Sequence, residues 1–218
     1  MRNKYTYISL IVIFFLLIIY PNNDDVHGQL IIDNTLTPAE LVQNVLVGNG
    51  VTVNNITYVG PAISIGSFAG GNTTNLGMNG GVIMSTGSIF DAPGPNNAGN
   101  TSTNTGGGSD TDLAALIPGY TVHDATILEF DFVPQSDTIK FKYIFASEEY
   151  PEWVNSIFND VFGFFVSGPN PLGGNYNADN IALIPGTTLP VTIDNVNDVT
   201  PSYPQYYVNN TSGLTIEY

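Results

Sequence analysis

The side chains with the greatest capacity for chemistry crowd into Ser147-Glu148-Glu149-Tyr150-Pro151-Glu152-Trp153, followed closely by Asn159-Asp160. This stretch includes three glutamates and the only tryptophan of the chain. It lies between two predicted strands, so carboxylates ending one strand and an Asn-Asp pair starting the next can converge on a point. Oxygen donors without His or Cys suit Ca²⁺, which takes about six to eight oxygens in flexible geometry. The residue types therefore predict a Ca²⁺ site made by Glu148, Glu149, Asn159 and Asp160. The competing reading is an acidic loop whose carboxylates cap backbone N–H groups and face water. Tyr150 and Trp153, beside these polar groups, suggest a ligand-binding aromatic platform of the kind that stacks on sugar rings. Tyr143, Tyr203, Tyr206 and Tyr207 can act alike, or the rings fill the core and its rim.

Other chemistries find less support. Asp110 and Asp112 alternate like metal ligands but equally suit the cap of a short helix. Asp194-Asn195-Val196-Asn197-Asp198 lacks the glycine and terminal glutamate of a calcium loop. Adjacent glutamates point to opposite sides of a strand end and seldom form the paired carboxylates of a glycosidase. His123 and Asp124, as sequence neighbours, cannot take triad geometry, and no Gly-x-Ser-x-Gly elbow exists. Gly106-Gly107-Gly108 lacks the lysine of a phosphate-binding loop. With no cysteine, there is no disulfide, thiolate metal site or cysteine nucleophile. The expectation is a protein that is not an enzyme.

The chain has 218 residues, with 19 acidic and 4 basic side chains and a net charge of −15. Beyond Arg2 and Lys4, the only basic residues are Lys140 and Lys142. Such a surface cannot neutralise a row of phosphates, which excludes nucleic acid as a partner. It also lacks a polybasic membrane patch. Arg2 and Lys4 precede an apolar run, Ile8 to Tyr20, closed by Pro21 and Asn22-Asn23-Asp24-Asp25. The run is shorter than the roughly 20 residues of a spanning helix, so residues 1–28 read as a secretory signal peptide. The other reading is a short uncleaved anchor, the one route to a membrane. Either way, residues 29–218 are exported, and a cysteine-free exported chain fits a bacterial product better than an animal module.

The exported part reads as strands. Thr37-Pro38-Ala39-Glu40 carries a capping threonine, proline at the first helical position and glutamate three residues after the cap, so one short helix starts here. Strands are predicted at 51–53, 56–58, 63–68 and 81–86, then a long loop over 91–109. Ile127-Leu128-Glu129-Phe130-Asp131-Phe132 and Ile139-Lys140-Phe141-Lys142-Tyr143-Ile144-Phe145 alternate cleanly, suggesting a hairpin that sets Glu129 and Asp131 opposite Lys140 and Lys142. Further strands are predicted at 161–166, 181–184, 191–193 and 214–218. Many short strands, one helix and no βαβ alternation predict an all-β fold, a jelly-roll-like β-sandwich with one short N-terminal helix packed on it. The last strand ends at Tyr218 with no turn after it, so the domain is expected to be cut there.

Several stretches resemble the choice-of-anchor L domain. They are Thr37 to Val42, Asp124 to Pro134, Ser147 to Glu152, Asn159 to Gly168, Asn180 to Gly186 and Tyr206 to Asn210, in that order. The resemblance implies an exported bacterial surface protein, often of Bacteroidota, whose β domain is joined to varied anchoring segments. It brings no catalytic residue. The expected role is adhesion or matrix interaction at the cell surface or after secretion, with structural Ca²⁺ and an extracellular glycan or protein as partner. The alternative is a carbohydrate-binding module, or less readily a glycosidase.

Overall fold

A computed structural model describes residues 28–200 and 202–218. The segment 1–28 read as a signal peptide or anchor therefore lies outside the described residues, apart from Gly28. Among the described residues, no helix is long and apolar enough to cross a membrane.

The all-β class holds, with short strands in several antiparallel sheets. β1 (Ile31–Asp33), β3 (Ile65–Ala69) and β4 (Gly81–Met84) form one sheet with β3 central. β2 (Val51–Val59) pairs with β5 (Ile127–Pro134), β6 (Val161–Phe162) with β9 (Val191–Thr192), and β7 (Phe165–Pro169) with β8 (Asn175–Asn180).

The N-terminal helix forms where its cap predicts. In α1 (Pro38–Leu41), Thr37 Oγ1 accepts from the Glu40 N–H at 3.3 Å, and Glu40 Oε2 accepts from the Thr37 N–H at 2.8 Å. Two N–H groups that the first helical turn leaves unpaired are thus satisfied reciprocally. The helix continues through a wider π-type turn, Val42–Leu46. It buries Leu41 and Val42 completely, worth roughly 1.5–3 kcal/mol each. A second helix, α2 (Thr111–Leu116), starts at Asp110, whose carboxylate accepts from the N–H groups of Asp112 and Leu113. Of the two readings of Asp110, the structure supports the cap.

The predicted hairpin is corrected. β5 pairs with β2, from Val51↔Pro134 to Val59↔Ile127, with a shift near Asn55, which has φ +50°. Its acidic face meets an amide and a hydroxyl instead of the lysines. Asn55 Nδ2 donates to Asp131 Oδ2 at 2.6 Å, and Thr57 Oγ1 to Glu129 Oε2 at 3.5 Å. Among the described residues, the segment 138–147 joins no ladder. Ring contacts hold it against the chain around β6: Phe141 lies 4.5 Å from Phe164 and Tyr143 4.9 Å from Phe162, centroid to centroid. Its alternation is real, but its aromatic side packs on rings while its backbone finds no strand partner.

The single strand predicted over 161–166 is two, because Gly163 and Phe164 break the ladder between β6 and β7. The Phe164 N–H bonds instead to Asn180 Oδ1 at 3.0 Å. Deeply buried side chains include Leu41, Ile89, Ile184 and Ile193, while Leu30, Ala92 and Ile216 form a smaller cluster. The backbone bridge Pro93↔Ile216 ties the C-terminal segment to the start of the long loop.

Candidate functional site

Ser147 organises the acidic stretch. It is buried, with 4% exposure, and its hydroxyl serves two partners. Oγ donates to Asp160 Oδ2 at 2.7 Å and accepts from the Glu149 N–H at 3.0 Å, a side-chain turn that fixes the following residues. The Trp153 N–H then closes a turn on the Glu149 carbonyl at 3.0 Å. Asp160 precedes β6, and its carbonyl accepts from the Ile193 N–H at 3.2 Å. One hydroxyl thus holds the carboxylate entering β6 against the loop that carries both glutamates.

A fourth carboxylate arrives from beyond β9. Asn159 Oδ1 accepts from the Asp194 N–H at 3.3 Å, so Asn159 helps to position Asp194. The Asp194 carboxylate is itself held by the Asn155 N–H at 2.6 Å and the Tyr120 hydroxyl at 2.9 Å. The sequence pattern does not single out Asp194, because it matches no calcium loop and lies far along the chain from Glu149.

Glu149 is the strained member of the group. Its Oε2 is buried with no hydrogen-bond partner among the described residues. Burial first, then the charges of Asp160, Glu148 and Asp194, push its carboxyl up to about 8 from 4.5. Glu148 is raised chiefly by burial and further by Asp160 and Asp91, against hydrogen bonds that lower it. Asp160 is raised by burial, with the Ser147 hydroxyl opposing. Like charges close together in a poorly solvated place disfavour ionisation, and nearby positive charge would reverse that. Among the described residues, no three Asp, Glu or His side chains already stand in an arrangement that would hold a metal ion. Ion binding would therefore have to draw the carboxylates together.

The two aromatic residues of the stretch part company. The Tyr150 hydroxyl donates to the Val196 carbonyl at 2.5 Å, and its ring lies 4.9 Å from Tyr207, tilted by 53°. Tyr150 lines a cavity of about 380 Å³. Trp153 does not line it. It is 42% exposed and meets Phe158 edge-on at 5.2 Å, near Ile157, which is 82% exposed. The two rings thus form no single platform. Tyr206 and Tyr207, which the sequence suggests as further platform rings, line the cavity with Tyr150, as does Tyr143.

Comparison with curated proteins and with solved structures finds no match to this chain. The family model of the Choice-of-anchor L domain matches residues 30–218, nearly the whole chain. The match spans the helix cap, the strands and the acidic loop together, and the family implies an exported, surface-associated setting. This chain belongs to the Choice-of-anchor L domain family and is an extracellular, surface-associated β domain.

Proposed function

We propose that the domain is a non-enzymatic adhesive module whose acidic loop is pinned by Ca²⁺. The observation that carries the metal reading is the orphaned Oε2 of Glu149, buried among carboxylates of the same sign. A buried polar atom without a partner is costly, and a hard dication supplies both the missing contact and the compensating charge. Glu148, Glu149 and Asp160 would hold the ion, with Asp194 as the added donor and Asn159 positioning it. The ion would tie the entry of β6 to the loop before it. Trp153, Ile157 and Phe158, exposed on that same loop, would then offer an apolar surface to a glycan or protein outside the cell. Aromatic residues are enriched where such surfaces bind.

The test is calorimetric titration of Ca²⁺ into chelator-stripped protein, with melting followed in parallel. Saturable binding with a raised melting temperature, abolished in the Glu149→Gln/Asp160→Asn double variant, is the expected result. Absence of both heat and melting shift overturns the metal reading. With calcium bound, glycan arrays and immobilised matrix proteins then test adhesion, and Trp153→Ala is expected to weaken any capture.

A further inference from the structure

The cavity has a composition that the calcium reading does not use. It encloses about 380 Å³, within the ordinary range of small-ligand sites. Six aromatic rings line it: Tyr143, Phe145, Tyr150, Tyr206, Tyr207 and Tyr218. Tyr143 and Tyr206 are exposed, while the other four are half-buried. The remaining wall is aliphatic apart from a few uncharged groups such as Asn75, Asn210 and Ser147, and among the described residues no Lys, Arg or His lines it.

Carboxylates lie just behind this wall. Ser147 faces the cavity and hydrogen-bonds the Asp160 carboxylate at 2.7 Å. Glu217, only 4% exposed, precedes Tyr218 and accepts from Thr101 Oγ1 at 2.5 Å. The Tyr218 hydroxyl donates to the carbonyl of that same Thr101 at 3.0 Å. Burial raises the phenols of Tyr150, Tyr207 and Tyr218, and neighbouring groups add to it: Tyr207, Asp160 and Asp194 at Tyr150, Asp198 and Glu152 at Tyr207, and Glu148, Asp91, Glu217 and Asp160 at Tyr218.

We propose that this cavity binds an organic cation, a quaternary or alkylated ammonium group. Apolar substituents on the nitrogen match the aromatic and aliphatic wall. The positive charge is attracted by the ring quadrupoles and by the carboxylates behind them. A phosphate or carboxylate finds no cation to pair with in this wall, and a neutral molecule gains nothing from the field. The same head group occurs on a free small molecule, on a methylated lysine of a protein, and in phosphocholine.

The experiment compares choline with 3,3-dimethyl-1-butanol, which has the same shape without charge. Both are titrated calorimetrically into the full chain without added calcium, so the outcome does not depend on the metal reading. Choline is expected to bind about tenfold more tightly than the neutral isostere. Parallel titrations with phosphocholine and with a short neutral peptide carrying trimethyl-lysine identify the natural source by whichever binds most tightly. Tyr207→Leu keeps the wall apolar and is expected to weaken choline about tenfold, whereas Leu172→Ala, in the exposed turn between β7 and β8 and outside the cavity, leaves it unchanged. Should Tyr207→Leu fail to fold, Tyr206→Leu at the exposed mouth replaces it. Equal binding of choline and its neutral isostere, or binding of none of the ammonium compounds, overturns the proposal.

Discussion

Glu149→Gln removes one charge from the acidic loop while keeping the side chain's shape, and its effect on calcium-free protein follows from the site's electrostatics. A carboxyl held at about 8 rather than 4.5 means the native fold binds its proton more tightly than the unfolded chain does. Stability from this group is therefore fully present below pH 4.5 and is lost as pH rises through about 8. In the unscreened limit the ionised group costs the native state roughly 5 kcal/mol. The side chain is only partly buried, so screening reduces this to about 2 kcal/mol. Glu148 and Asp160 shift in the same direction and deepen the same trend. Melting is followed by circular dichroism in chelator from pH 5 to 8.5. The wild type is expected to lose stability across that range. At pH 8.5 Glu149→Gln is expected to melt roughly 4–8 °C higher than wild type, a difference that vanishes near pH 5. Added calcium should raise the wild-type melting temperature at pH 8.5 and raise that of the variant less. A variant that melts lower than wild type at pH 8.5, or a wild type whose stability is flat across the range, refutes the reasoning.

Asp110→Ala is expected to cost about 1 kcal/mol by uncapping α2, whereas Asp110→Asn, which keeps an accepting oxygen, costs little. Neither should change calcium affinity, and thermal melting with calcium titration checks both. Thr37→Ala breaks the reciprocal cap of α1 and is expected to lower stability by about 1 kcal/mol, measured by urea unfolding. At Gly94 an added Cβ would lie 2.7 Å from the Ile216 nitrogen and 2.9 Å from the Thr215 carbonyl carbon. Gly94→Ala is therefore expected to cost about 1–3 kcal/mol and to speed amide exchange in the C-terminal segment before the rest of the chain.

Features carried by neighbouring residues are legible in the chain. The α1 cap needs only Thr37, Pro38 and Glu40 within one turn, so its chemistry is complete in the sequence. The long loop after Asp91 follows from Gly, Pro, Asn and Thr, which build no core. Alternation placed β5, because Leu128, Phe130 and Phe132 share a face whatever partner the strand takes. Alternation says nothing about which strand that partner is. A hairpin with 139–145 and a ladder with the distant β2 satisfy the same pattern. The choice went to β2, whose Asn55 and Thr57 meet the acidic face of β5 while the 139–145 rings pack on Phe162 and Phe164.

The acidic loop divides along the same line. Ser147, Glu148, Glu149 and Asp160 lie close enough in sequence for their residue types to mark a site. That Glu149 is strained depends on burial and on Asp194, which no local spacing brings near. The cavity is still less visible, since its rings come from the 143–150 segment, the tyrosine pair at 206–207 and Tyr218. By itself, the sequence determined composition, charge, helix caps, strand faces and family, because these depend on residue identity and short-range order. Only the tertiary structure decided strand partners, the orphaned carboxylate oxygen and the aromatic cavity, because each arises when distant segments share one volume.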